Sequence, residues 1–236
     1  FLGFCAGLPY GMLIDPLNFW LSESGINRTT IGLLSWITLT YSFKAAWSPF
    51  IDRFRLPILS NFLGQRRSWL VFSQVLIAFA LLGMASSNPN ESLGILVVFA
   101  LAVGFSSATQ DISVDAWRIE AVPINQQGAM AGTYQLGYRL GWILSGGGAF
   151  LIAGSFSWST AYVVMGFAMF VGVATTLLIA EPKRKIDQQT WLEEERVLRF
   201  LEGPSHLPGR ARYVVAWFIG AVVCPFTDFF ARNGVF

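Results

Sequence analysis

Apolar residues in this chain do not alternate with polar ones. They run together in six stretches, approximately Leu2–Leu21, Thr30–Pro49, Trp69–Ser86, Leu93–Trp117, Ala129–Ile152 and Thr160–Ala180. A helix crosses the hydrocarbon core of a bilayer with about 20 mostly apolar residues. Each run therefore predicts a transmembrane helix, and the six together predict an all-α, multi-pass membrane protein. Neither a cleaved signal peptide nor one buried core helix accounts for so many. Phe1 already lies inside the first run, which predicts a fragment that lacks its true N-terminus.

Composition and charge orient these spans. Of the residues, 54% are hydrophobic and 13% charged. Loops after the first, third and fifth runs carry one basic residue, Arg28. Those after the second, fourth and sixth carry twelve, among them Arg53, Arg66, Arg67 and Arg118. Lys and Arg favour short cytoplasmic loops, so the first span starts on the cytoplasmic side. The net charge of +2 is this loop bias and marks no nucleic-acid surface. Trp20, Trp47, Trp69, Trp117 and Trp158 lie near span ends, where interfacial aromatics are expected. Cys5 and Cys224 lack metal or redox spacing and are expected to be buried small hydrophobes. Asn27-Arg28-Thr29 and Asn90-Glu91-Ser92 match glycosylation sequons on the outer side, a short pattern expected to arise by chance.

The organisation predicted is a six-span bundle over 1–182, a cytoplasmic segment over 183–212 and a lead-in to further spans over 213–236. Lys183-Arg184-Lys185 is expected at the membrane surface. Thr190–Glu202 predicts an amphipathic helix with a Glu195–Arg199 ion pair, and Gly203–Gly209, which contains His206, predicts a hinge. Tyr213–Thr227 is short for a span and contains Pro225, which favours an interfacial helix.

Charges inside the spans are the candidate chemistry. Asp111 and Asp115 are four residues apart, on one helix face that Arg118 extends. Arg139 lies about 16 Å into the next span at 1.5 Å per residue, a depth that matches Asp111. An ion pair between them is expected, since pairing lowers the penalty of burial. It either staples two helices together or lines a polar cavity that binds substrate or carries a proton. Carboxylates beside a cation that comes and goes have a switchable proton affinity. Lys44 either snorkels to the cytoplasmic surface or lines the same cavity, and Asp15-Pro16 faces the cavity or the outer vestibule. Gly128/Gly132 and Gly137/Gly141 have the small-xxx-small spacing of close helix contacts. No nucleophile–base pair or metal-ligand cluster is present, so an enzyme is not expected. A receptor or scaffold would tolerate neutral residues in place of Asp111 and Asp115.

The loop after the second run reads Trp47-Ser48-Pro49-Phe50-Ile51-Asp52-Arg53 and continues to Gly64-Gln65-Arg66-Arg67. It resembles, at greater length, the signature loop of the major facilitator superfamily. The resemblance implies that Asp52, Arg53, Gly64, Arg66 and Arg67 help hold the cytoplasmic side shut; a purely topogenic role for the arginines is the alternative.

A closer resemblance rests on motifs that fall in order. They are Leu2-Gly3-Phe4 with Gly7-Leu8-Pro9, Phe43-Lys44 with Trp47-Ser48-Pro49, Gln110-Asp111 with Asp115-Ala116-Trp117, and Gly137-Tyr138-Arg139-Leu140-Gly141 with Ser145-Gly146-Gly147. Together they resemble the AmpG family of muropeptide permeases, and Pro225-Phe226, Asp228-Phe229-Phe230 and Arg232 resemble its approach to a seventh helix. The resemblance implies the N-terminal six-helix bundle of a transporter of twelve or more helices, partnered by its C-terminal half in the bacterial inner membrane. It also implies proton-driven import of anhydro-muropeptides, GlcNAc-anhydroMurNAc with or without peptide, for peptidoglycan recycling, with no cofactor beyond the proton gradient. Asp115 and Gly137 are the first residues it marks for substrate binding or coupling, followed by Asp111, Arg139, Lys44, Gln110 and Tyr138. Acetyl-CoA transporters share part of the fourth-span pattern and are the alternative cargo class.

Overall fold

The computed structural model describes residues 1–182, 188–203, 208–224 and 227, and every element among them is helical. The first span is one helix, α1 (Leu2–Glu23). The second is broken into α2 (Arg28–Leu34), α3 (Leu39–Phe43) and α4 (Ser48–Arg53), with 3-10 turns at Ser35–Thr38 and Lys44–Ala46. The short α5 (Leu59–Leu63) precedes α6 (Gln65–Ala85) and α7 (Pro89–Ala121), the third and fourth spans. The fifth is α8 (Gln127–Ile143), a π turn at Leu144–Gly148 and α9 (Ala149–Ser155). The sixth is α10 (Trp158–Ala168) and α11 (Phe170–Leu178); α12 (Gln188–Glu202) and α13 (Gly209–Phe218) follow.

Gln65–Ala85, Pro89–Ala121 and Trp158–Leu178 are long and apolar enough, by length and composition, to cross a membrane. The other three runs miss that measure for local reasons. Pro9, Asp15 and Pro16 dilute α1, and turns divide the second and fifth spans. The second is rich in Ser and Thr, whose hydroxyls bond back onto the helix. Ser35 donates to the Ile31 carbonyl at 3.1 Å, Thr38 to Ser35 at 2.8 Å and Thr40 to Ile37 at 2.8 Å. Such bonds compete with the regular ladder and favour the tighter turn.

α1 sits at the centre, packed against α7, α8, α10 and α11. Its partnership with α8 is a backbone contact. A methyl added at Gly3 or Gly7 would overlap the carbonyls of Tyr134 and Tyr138, and one at Gly141 the carbonyl of Phe4. Gly137 has the Phe4 amide 3.1 Å from where its Cβ would lie, whereas Gly128 and Gly132 meet nothing. Of the two predicted small-residue pairs, 137/141 is therefore the packed one. Pro16 has no N–H, so the Met12 carbonyl loses its helical partner. The Tyr162 hydroxyl, fully buried on α10, donates to it at 3.1 Å.

Side-chain ties close both ends of the bundle. Gly64 takes a left-handed φ of 85° ahead of α6. The Glu181 carboxylate then accepts from the backbone N–H groups of Arg66 (2.8 Å) and Arg67 (3.0 Å), capping that helix. Arg67 donates to the last carbonyls of α11, Thr176 at 2.9 Å and Leu177 at 2.7 Å. The buried Arg66 guanidinium grips Glu120 of α7 in bidentate fashion, at 2.7 and 3.2 Å. At the opposite end of the bundle Trp158 donates to Glu23 at 2.6 Å. Trp20, Trp69 and Trp158 are thus buried in the packing rather than spread along the interface. Both cysteines are free and buried. Asn27 caps α2 through the Thr30 amide at 2.8 Å, a structural use of the first sequon.

The chain divides into two compact units, one of residues 1–51 and 55–183, the other of 52–54 and 184–236. Within the second unit the Arg53 guanidinium donates to the Gly220 carbonyl. On α12 the expected Glu195–Arg199 ion pair is formed at 2.6 Å. The predicted anchor Lys183-Arg184-Lys185, His206, Pro225-Phe226, Asp228-Phe229-Phe230 and Arg232 lie outside the described residues.

Candidate functional site

The predicted acidic stripe is present on α7. Asp111 and Asp115 lie one turn apart, with side chains 14% and 41% exposed, and Arg118 donates to Asp115 Oδ1 at 3.2 Å. The partner of Asp111 is not the one expected. Lys44 Nζ lies 3.6 Å from Asp111 Oδ2 and 3.8 Å from Asp115 Oδ2, bridging the two carboxylates from the 3-10 turn of the second span. Lys44 thus points into the charge cluster, with its side chain 34% exposed. Two cations and two carboxylates leave the group neutral, which lowers the penalty of holding it at membrane depth.

Arg139 is the correction. It is exposed on α8 and makes no ion pair among the described residues. The reason is helical phase. Gly137 and Gly141 press against α1, and a residue two positions from each lies about 200° away, at about 100° per residue. Position 139 therefore points away from α1, and α7 and α8 each pack against α1 far more than against one another.

Residues flanking the glycine face complete the site. Tyr134, Tyr138 and Trp142 follow one another at intervals of four on α8. The Arg118 guanidinium sits over the Tyr134 ring, 4.9 Å from its centroid. Tyr134 and Tyr138 are 6.3 Å apart, Tyr138 and Tyr10 of α1 6.4 Å, and Tyr10 and Trp142 6.4 Å. Tyr41, one turn before Lys44, meets Tyr10 edge to face at 4.8 Å. Four of the six tyrosines of the chain thus converge beside the charge cluster. The sequence reading named Tyr138 alone. Aromatic residues inside apolar runs carry no marker of their own, and only the 134/138/142 spacing hinted at a common face.

Gln110 is fully buried next to Asp111, and neither side-chain amide atom has a hydrogen-bond partner among the described residues; the same holds for Asp111 Oδ1. Unpaired polar atoms are expensive in a low-dielectric interior and concentrate where something else is bound or moved. Gly64, Arg66 and Arg67 lie in the first unit, in the tie to Glu120 and Glu181, whereas Asp52 and Arg53 group with the second. Glu120 and Glu181 went unread in the sequence because each stands beside a span end as an ordinary loop charge.

Six apolar spans, the first of them a glycine-faced helix packed by backbone contact on the fifth, with a neutralised charge cluster and an aromatic flank beside it, define a multi-pass α-helical membrane transporter. The chain belongs to the Major Facilitator Superfamily, whose model matches residues 1–233. It is similar to the anhydromuropeptide permease of Escherichia coli K12, with 34% identity over 233 residues that cover 98% of this chain and 41% of that protein. A transporter named AmpG 4 in Rickettsia felis is 34% identical over 235 residues, 98% of this chain and 51% of its own length. One named AmpG 3 in Rickettsia prowazekii is 34% identical over 190 residues, 80% and 45%. The resemblance to the AmpG family is borne out, and the chain spans about half the length, or less, of these curated relatives.

Proposed function

We propose that this chain forms the N-terminal half of a proton-coupled permease of the bacterial inner membrane that imports anhydro-muropeptides for peptidoglycan recycling. The cargo passes unchanged, and the proton gradient is the only driving force. The observation that carries the reading is the Lys44 bridge between Asp111 and Asp115, in a chain that matches an anhydromuropeptide permease along nearly its whole length. A cation held between two carboxylates makes protonation of one acid and the position of the lysine interdependent. That coupling is what a proton-driven conformational cycle requires, with the cargo held between this bundle and a second one.

The test is uptake by the full-length protein in vesicles, with labelled anhydro-muropeptide and labelled acetyl-CoA offered separately, with and without an imposed proton gradient. Anhydro-muropeptide should accumulate only with the gradient, and Asp115→Asn should abolish accumulation at unchanged expression. Acetyl-CoA uptake in its place overturns the cargo. Accumulation independent of the gradient, or normal in Asp115→Asn, overturns the coupling.

A further inference from the structure

A second corner of the bundle, where the second span meets α6 and α7, is walled by hydrocarbon alone. A cleft of about 100 Å³ opens there between Trp47, Phe50, Trp69, Phe72, Leu76 and Phe105, and it exposes no polar atom. Ser73 and Thr109, which also border it, turn their hydroxyls onto the Trp69 and Phe105 carbonyls at 2.8 and 2.9 Å. Compact ligands fill pockets of about 300–1,000 Å³, so this one is a slot for a single hydrocarbon chain. The loop that follows α4 is rooted in the same wall. Leu56 packs into the cluster of Ile51, Trp69 and Ile112, with Trp47 beside it.

Beyond that root the loop holds apolar side chains out of the protein. Ile58 is 70% exposed and Phe62, one turn on in α5, is 83% exposed. Ile58 also has a φ of 72°, the only positive value outside glycine among the described residues. A β-branched residue is strained there and glycine would not be, so what the position gains is the side chain. Strain of this kind collects at ligand sites. From 54 to 65 the loop has one charge, Arg55, and no acidic residue. Arg55 is exposed and makes no hydrogen bond or ion pair with a described residue.

An apolar slot, two projecting apolar side chains and an unpaired guanidinium match the parts of a phospholipid in its own bilayer. The loop joins two spans at the end where the basic residues gather, which places it at the leaflet that carries anionic lipid. A protein partner would call for a polar rim around the apolar core, and the cleft offers none. We infer that this corner binds an anionic phospholipid of the surrounding membrane, with one acyl chain in the cleft, its phosphate on Arg55, and Ile58 and Phe62 inserted among neighbouring tails. The inference depends neither on the cargo nor on proton coupling.

The experiment uses the purified full-length transporter in detergent, titrated with dioleoyl-phosphatidylglycerol or dioleoyl-phosphatidylcholine and read by native mass spectrometry. Phosphatidylglycerol should bind more tightly. Arg55→Ala should weaken it about fivefold and leave phosphatidylcholine unchanged, whereas Arg55→Lys should stay within about twofold. Leu76→Trp, which fills the cleft, should reduce retention of both lipids several-fold. A second readout uses vesicles of phosphatidylethanolamine and phosphatidylglycerol and a spin label at position 62, attached through Phe62→Cys in a background without other cysteines. The label should meet oxygen more often than a water-soluble nickel complex, and Ile58→Gly, which relieves the backbone, should shift it towards nickel. Lipid retention indifferent to Arg55→Ala or to Leu76→Trp overturns the site. A label open to nickel at the outset overturns the insertion, and one shielded from both reagents shows a protein cover in place of lipid.

Discussion

Lys44 shows what a single side chain decides in this fold. Its ammonium lies between two carboxylates, one of them 14% exposed, so removing it leaves Asp111 without its counter-ion beside Asp115, which keeps Arg118. Lys44→Met should lower the unfolding midpoint of the full-length protein in detergent. Lys44→Met with Asp111→Asn should recover most of the loss, a coupling of about 1–3 kcal/mol. Equal, additive losses would show that the contact carries no energy. The carboxylate half of the cluster was legible in the sequence, because spacing of four on a helix fixes a shared face. The cation was not. Lys44 and Arg139 were both within plausible depth, and only the phase of α8, set by Gly137 and Gly141, separates them.

At the scale of elements, the α1–α8 contact depends on the absence of side chains. Gly141→Ala places a methyl on the Phe4 carbonyl and should reduce the folded yield several-fold, as judged by size-exclusion chromatography of the full-length protein. Gly132→Ala, where the added methyl meets nothing, should be indistinguishable from the unaltered protein. Equal behaviour of the two would remove the glycine contact as the reason for close packing. The six runs were readable from hydropathy alone. The breaks in the second and fifth were not, since 3-10 and π turns differ from an α-helix by one hydrogen-bond register and leave the apolar pattern intact. The Ser and Thr residues of the second run were the signal available.

Across the whole molecule, distant parts of the chain are tied by a few polar contacts. Glu181 caps α6 across 115 positions of sequence. Glu181→Ala leaves those amides without their carboxylate and should destabilise the folded protein by about 1 kcal/mol, read as a lower unfolding midpoint, with Glu181→Gln intermediate. No change in either variant would reduce the tie to a surface contact. The central place of α1 has its own consequence during synthesis. The carbonyls that Gly3 and Gly7 meet belong to residues about 130 positions later. At about 5–20 residues per second, the ribosome needs roughly 7–26 s to deliver them. For that interval the newly inserted first helix waits in the membrane with its glycine groove open, so the nascent chain depends on lipid, or on the insertion machinery, to shield it from premature partners.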